Sequence, residues 1–295
     1  MIPAELGFLL LTSHMGDPDR KPLTVAQFRD LTKMAQQMEK PLLDRSLTPE
    51  DLMDLGCRPD FAWRICNLLE DEARLQRYLA QAQELDCYPI TRLNELYPSR
   101  VRKYLGLESP GCLWAKGDFC VLSQPLVGLV GSRDLREDNL AFAKELGKQA
   151  ALQGYTLVSG NARGADSAAQ TSCLENGGMV VSVVADALGS HALQERVLYL
   201  SEDDFDKEFS SQRAISRNRI IHTMGEKTFV AQCTLEKGGT WDGTVKNLRF
   251  GWSPVFCYHD GSTAMQELIQ RGADGVDISD LNDIAGISPT VITMD

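Results

Sequence analysis

The stretch from Leu126 to Asp166 constrains this chain most. Leu126-Val127-Gly128-Leu129-Val130 is an apolar run of strand length, followed at once by Gly131-Ser132-Arg133. A helical pattern runs from about Glu137 to Leu152, Gly154 ends it, and Tyr155-Thr156-Leu157-Val158 reads as the next strand. Ser159-Gly160-Asn161-Ala162-Arg163-Gly164-Ala165-Asp166 then opens another helix. The pattern is a βαβ unit with a polar, glycine-containing turn after each strand. In a parallel sheet such turns lie at the carboxyl ends of neighbouring strands, where open α/β sheets bind ligands. Each turn carries an arginine. Two helix N-termini and two guanidinium groups on one crevice predict an anion site, above all for phosphate.

The alternation continues downstream. Strands are expected at 179–184, 197–200, 228–232, 254–257 and 275–277, with helices through Ser216-Arg217-Asn218-Arg219, from the Glu236–Thr240 turn to Phe250, and from Thr263 to Arg271. Strands alternating with helices define an α/β fold, a doubly wound, mostly parallel sheet of extended Rossmann-like type. Upstream, residues 1–85 read as a small helical domain. Its helices are expected at Pro3–Thr12, from a Thr24 cap to about Glu39 with Pro41 as the stop, from Thr48-Pro49-Glu50-Asp51 to about Gly56, and as one longer helix from Pro59 to Leu85. Residues 86–295 form the Rossmann-like domain. Its lead-in segment has short strands at 87–90 and 112–115 and a basic helical piece at 97–105.

Composition removes several classes. The 8 cysteines are scattered without a CxxC pair and there are only 4 histidines, so neither a metal site nor a disulfide framework is expected, and reduced thiols suit a cytoplasmic protein. No run reaches the roughly 18 apolar residues of a membrane span. Phe8-Leu9-Leu10-Leu11 reads as part of a core helix, since no basic region precedes it. A net charge of −11 argues against a general nucleic-acid coat and for a focused phosphate site with salt-sensitive affinity. The acidic stretch Glu202 to Asp206 reads as a solvated loop.

Four places carry cations or flexible backbone where a phosphate could sit. Gly131, Ser132 and Arg133 combine close backbone approach, a hydroxyl and a charge. Gly160, Arg163, Gly164 and Asp166 put an arginine between glycines at a helix start, with the acid in the first turn, where the dipole favours it. Arg217, Asn218 and Arg219 set two guanidinium groups beside an amide. On a helix the two arginines point roughly 200° apart, so one faces ligand and the other packs or pairs. Lys237, Gly238, Gly239 and Thr240 form another phosphate-type turn. Neither a Walker loop nor GxGxxG is present, which counts against nucleotide hydrolysis and dinucleotide binding, and no cofactor is expected. No catalytic constellation is readable, and the cysteines suit core positions better than nucleophilic ones.

In this order the motifs resemble the DNA-processing protein A (DprA, also called Smf) family. The matching residues are Val130-Gly131-Ser132-Arg133, Val158-Ser159-Gly160 with Ala162-Arg163-Gly164, Asp166 and Ala168-Ala169, then Arg217-Asn218-Arg219-Ile220-Ile221 and Lys237-Gly238-Gly239-Thr240, preceded by Leu113-Trp114-Ala115-Lys116-Gly117-Asp118. The resemblance covers roughly residues 85 to 260. It implies an extended Rossmann fold that dimerises and binds single-stranded DNA in a basic pocket. It also implies protection of incoming DNA during natural transformation and loading of a RecA-type recombinase, with no bond made or broken. Ser132, Arg133, Arg163, Arg217, Asn218 and Lys237 would then hold phosphate or base, and Asp166 would order the pocket. A winged-helix tail, present in some members, is not expected. Two other readings stay open: a binder of a nucleotide-derived ligand, and a nucleoside-monophosphate phosphoribohydrolase-like enzyme, whose phosphate loop Lys237-Gly238-Gly239-Thr240 with Gly243-Thr244 distantly resembles.

Overall fold

The computed structural model describes residues 1–36 and 47–290. By contacts the chain divides into two compact units, 1–114 with 202–206, and 115–201 with 207–295. The contact division therefore assigns most of the lead-in segment to the helices, a different cut from the expected one at residue 85.

The first unit contains α1 (Pro3–Thr12), α2 (Val25–Gln36), α3 (Pro49–Asp54), α4 (Pro59–Leu69), α5 (Glu72–Glu84), β1 (Tyr88–Thr91), α6 (Ser99–Leu105) and the start of β2 (Cys112–Gly117). The end of α2 expected near Glu39, and the stop at Pro41, lie outside the described residues. Leu11, Leu23, Phe28, Leu52, Ala62, Ile65 and Leu68 form one apolar cluster, with Phe8 and Phe28 rings 5.2 Å apart. The start of α3 is the predicted one. The Thr48 hydroxyl accepts from Asp51 N–H at 3.3 Å, and Asp51 accepts in return from Thr48 N–H at 2.9 Å.

Two expectations fail in this unit. The helix expected to run unbroken from Pro59 to Leu85 is two helices, broken at Glu70–Asp71. Asp71 leaves helical geometry to become the cap residue of α5, and its carboxylate lies 3.2 Å from Arg74 and 3.9 Å from Arg20. The stretch Glu202 to Asp206 is not a solvated loop either. Asp204 and Phe205 are buried, Asp204 accepts from His14 N–H at 2.8 Å, and Asp206 accepts from the Tyr78 hydroxyl at 2.6 Å. Phe205 lies against the rings of Tyr78 and Trp114 at 4.6 and 5.0 Å. Phe205 and Asp204 are thus anchored inside the unit, while Glu202 and Asp203 are half-buried and Asp206 stays exposed. Burial pushes the Asp204 carboxyl up from its ordinary range, against the hydrogen bonds from Ser13 and His14.

The second unit carries the end of β2, then β3 (Leu126–Val130), α7 (Glu137–Leu152), β4 (Thr156–Gly160), α8 (Ala165–Glu175), β5 (Met179–Val183), β6 (Val197–Ser201), α9 (Ser211–Ser216), α10 (Asn218–Met224), β7 (Lys227–Val230), α11 (Gly238–Phe250), β8 (Val255–Tyr258), α12 (Thr263–Gln270) and β9 (Asp274–Val276). Seven described strands run parallel in the order β6-β5-β4-β3-β7-β8-β9. The interior strands read as near-continuous apolar runs because both faces are covered, and Val127, Leu129, Leu157, Val181, Leu200, Phe229 and Phe256 are buried accordingly. The chain winds outward from β3 through β4, β5 and β6, then returns to place β7 on the other side of β3. The strand order thus reverses between β3 and β7. The crevice outside the carboxyl ends of those two strands is where such a sheet binds ligand. The fold is the Rossmann-like, mostly parallel α/β sheet expected from the sequence.

Candidate nucleic-acid interface

The turn after β3 is held in place by the turn after β7. Ser132 N–H donates to the Gln232 carbonyl at 2.9 Å and the Ser132 hydroxyl donates to the same oxygen at 3.1 Å. Thr240, at the start of α11, donates its hydroxyl to the Gly131 carbonyl at 3.1 Å. The turn after β4 presses against the first. Gly164 has φ +93°, and a Cβ there would lie 2.4 Å from the Arg133 carbonyl oxygen, so only glycine suits both backbone and space.

These turns and the α9–α10 junction enclose a cavity of about 440 Å³ at the point of strand-order reversal. Gly131, Ser132, Arg133, Asp166, Arg217, Asn218, Lys237, Gly238 and Gly239 all line it. Residues from four separate motifs therefore line one cavity. Arg217 is the single residue between α9 and α10, its backbone still in the right-handed helical region. The Arg217 side chain lies over the β4 turn, where it is only 6% exposed. A Cβ on residue 160 would fall 1.8 Å from its Nη1, which is why Gly160 stands there. Arg217 Nη2 lies 3.5 Å from Asp166 Oδ2, while Nε and Nη1 have no hydrogen-bond partner among the described residues. Burial pushes the Asp166 carboxyl up from its ordinary range, and Arg217 opposes that shift. Asp166 also accepts from Ala162 N–H at 3.3 Å, which ties it to the β4 turn. Asn218 donates to the Gly239 carbonyl at 2.8 Å, so its amide joins α10 to the α11 turn. Arg133 and Lys237 are exposed at the mouth.

Not every expected residue reaches this cavity. Arg219, two positions on, does not line it, as the angular offset along a helix requires. Gly160 and Gly164 shape the turns instead of lining the space. Arg163 is exposed, pairs with Asp134 at 2.6 Å, and lines a second cavity of about 320 Å³ next door. Arg133 and Arg217 line both cavities. The second one also holds Asn161, Asp186 and Phe209, none of which the sequence reading singled out. Gly243 and Thr244, the remainder of the phosphoribohydrolase-like loop, lie inside α11. They are buried, and the Thr244 hydroxyl bonds to the Thr240 carbonyl at 2.7 Å. Among the described residues no three His, Cys, Asp or Glu side chains gather as metal ligands, and no helix is long and apolar enough to cross a membrane.

Fold and site together define a Rossmann-like protein with a cationic pocket at the switch point of its sheet. The family described as DNA recombination-mediator protein A matches residues 89–285, and the chain belongs to that family. It is similar to the DNA processing protein DprA of Streptococcus pneumoniae, 28% identical over 253 residues that span 78% of this chain and 84% of that one. The DprA of Bacillus subtilis is 27% identical over 219 residues, 69% of this chain and 72% of its own. Among solved structures, that of S. pneumoniae DprA superposes with a TM-score of 0.72 at 22% identity, over 98% of this chain and 99% of that one. The Helicobacter pylori DNA processing protein A, solved in a study of its single-stranded DNA binding mode, superposes with a TM-score of 0.56 at 20% identity, over 68% of this chain and 95% of its own. This chain is thus a DNA-processing protein of the DprA/Smf family.

Proposed function

We propose that this chain binds single-stranded DNA in the switch-point pocket, protects incoming strands, and helps to load a RecA-type recombinase on them, acting as a homodimer in the cytoplasm. The observation that carries the reading is Arg217. A buried guanidinium with two unsatisfied nitrogens, Nε and Nη1, is costly unless an acceptor arrives, and a phosphate or a base edge supplies acceptors. Arg133 and Lys237 at the mouth, and Arg163 beside them, add charge for the backbone on either side. The H. pylori relative, solved in a study of its single-stranded DNA binding mode, supports the choice of ligand.

The test is anisotropy of a labelled oligo-dT with wild type, Arg217→Lys and Lys237→Ala. Both variants are expected to bind at least about fivefold more weakly, each having lost a charge-assisted hydrogen bond. Unchanged affinity in both would remove the pocket from the reading. Recombinase loading is read separately, as the rate of RecA filament growth on strands coated with single-strand binding protein, with and without this chain.

The compact pocket on a chain of net charge −11 favours one second reading, a nucleotide-derived ligand. Melting-temperature shifts with a nucleotide panel and no response to oligo-dT would select it.

A further inference from the structure

Three residues of α9, Ser211, Ala214 and Ile215, line the switch-point pocket, yet no residue of that helix is buried. Six residues are too few to hold a helix alone, since isolated helices below about 12–15 residues are marginal in water. Most protein helices are held instead by a buried apolar face, and the one large apolar side chain of α9, Ile215, is 39% exposed. The placement of α9 therefore depends on polar contacts, and Arg213 makes three of them.

Its half-buried guanidinium joins three pieces of chain. Nη1 donates to the Lys207 carbonyl at 2.6 Å and to the Glu208 carbonyl at 2.7 Å, and Nη2 donates to the Ser201 hydroxyl at 3.1 Å. Ser201 is the last residue of β6 and is fully buried, so the sheet itself fixes that acceptor. Lys207 and Glu208 open the stretch by which the chain re-enters the second unit after residues 202–206. A guanidinium presents its donors in one rigid plane, so acceptors on three sides fix the direction of the side chain as well as its end. The main chain of the same residue continues the link. The Arg213 carbonyl accepts from Arg217 N–H at 2.9 Å, one helical turn on. Arg213 itself lines neither of the two cavities. It grips the end of β6 with its side chain and holds Arg217 by its backbone.

We propose that Arg213 is a positioning residue for strand binding: it pins α9 to the end of β6 and so sets where the Arg217 guanidinium meets the ligand, without touching the strand. The inference rests on the reading above in which Arg217 binds the strand, and adds the residue through which the sheet holds it in place.

The experiment is a double-mutant cycle on oligo-dT affinity, read by anisotropy with the full chain at one salt concentration, below the melting temperature of every variant. Arg213→Gln is expected to bind about tenfold more weakly than wild type. In the Arg217→Lys background the same substitution is expected to cost no more than about twofold, because the fork that it positions is gone. A residue that touches phosphate, or that only adds positive charge, would lose the same factor in both backgrounds. Ser201→Ala removes one acceptor and leaves every charge in place. It is expected to show the same pattern at about threefold, and it decides the matter if Arg213→Gln does not fold. Unchanged affinity in both single variants, or equal losses in both backgrounds, overturns the proposal and leaves strand binding in the pocket standing. If Arg217→Lys binds as wild type does, or oligo-dT does not bind at all, the underlying reading fails and the role of Arg213 falls with it.

Discussion

Arg217 and Asp166 answer for each other. The guanidinium opposes the rise that burial imposes on the carboxyl, and it meets the carboxylate through Nη2 alone, so Nε and Nη1 have no partner among the described residues. Removing either partner strands the other, at a cost of about 3–5 kcal/mol for a broken buried pair. Gly160→Ala is expected to act on the same group from below. Its Cβ would occupy the position of Arg217 Nη1, so strand affinity should fall about tenfold or more while the protein stays folded, read by anisotropy beside a thermal melt. Arg163→Ala is the contrasting case. Its pair with Asp134 is exposed, so the melting temperature should hardly move while affinity weakens; loss of folding would make Arg163 structural. Elsewhere in the same unit His222 is fully buried, with Nδ1 at 3.0 Å from Asn247 Nδ2 and no partner for Nε2 among the described residues. Burial lowers its pKa from 6.5 to about 3. The unfolded chain therefore takes up a proton that the folded chain refuses. Stability is whole above pH 6.5 and declines as pH falls towards 3, by up to about 1.4 kcal/mol for each unit. Urea midpoints at pH 7.5, 5.5 and 4.5 should show a shallower decline in His222→Gln; equal slopes would contradict the assignment. At this scale the sequence showed the cations but not their partners. That one of Arg217 and Arg219 enters the pocket and the other does not follows from their angular offset on a helix, but which of the two faces inward is set by tertiary position, and Phe209 and Asp186 sit in loops with no periodicity to betray them.

At the scale of elements, the strands after Leu126 and the helix from Glu137 to Leu152 were legible because local pattern and tertiary position agree there. Where they disagree, single residues decide. Asp71, between α4 and α5, pairs both with Arg74 three residues on and with the distant Arg20, and Phe205 joins the rings of Tyr78 and Trp114 by contacts distant in sequence. The element on which the site most depends is α9, six residues that deliver the chain to Arg217. Its cap is Ser210, whose hydroxyl accepts from Arg213 N–H at 3.1 Å. Ser210→Ala is expected to cost about 1 kcal/mol of stability and to lower strand affinity through a looser α9–α10 junction. Denaturant unfolding and anisotropy on the same preparation check both, and an unchanged affinity would show that α9 does not position the guanidinium.

For the whole molecule the decisive property is the contrast between a net charge of −11 and a pocket lined by Arg133, Arg217 and Lys237. Long-range attraction to a polyanion is weak, so binding rests on a few short contacts. Each neutralised phosphate of a single strand contributes about 0.7 to the dependence of log K on log salt, so three or four cations give a slope of roughly −2 to −3. A duplex keeps its bases stacked inside and offers only its backbone to the pocket. The measurement that tests the account most directly is an anisotropy titration of labelled oligo-dT at several salt concentrations, with a duplex of equal length alongside. The account predicts binding that favours the single strand and weakens with salt at that shallow slope. Equal affinity for duplex and single strand, or no binding at low salt, would contradict it.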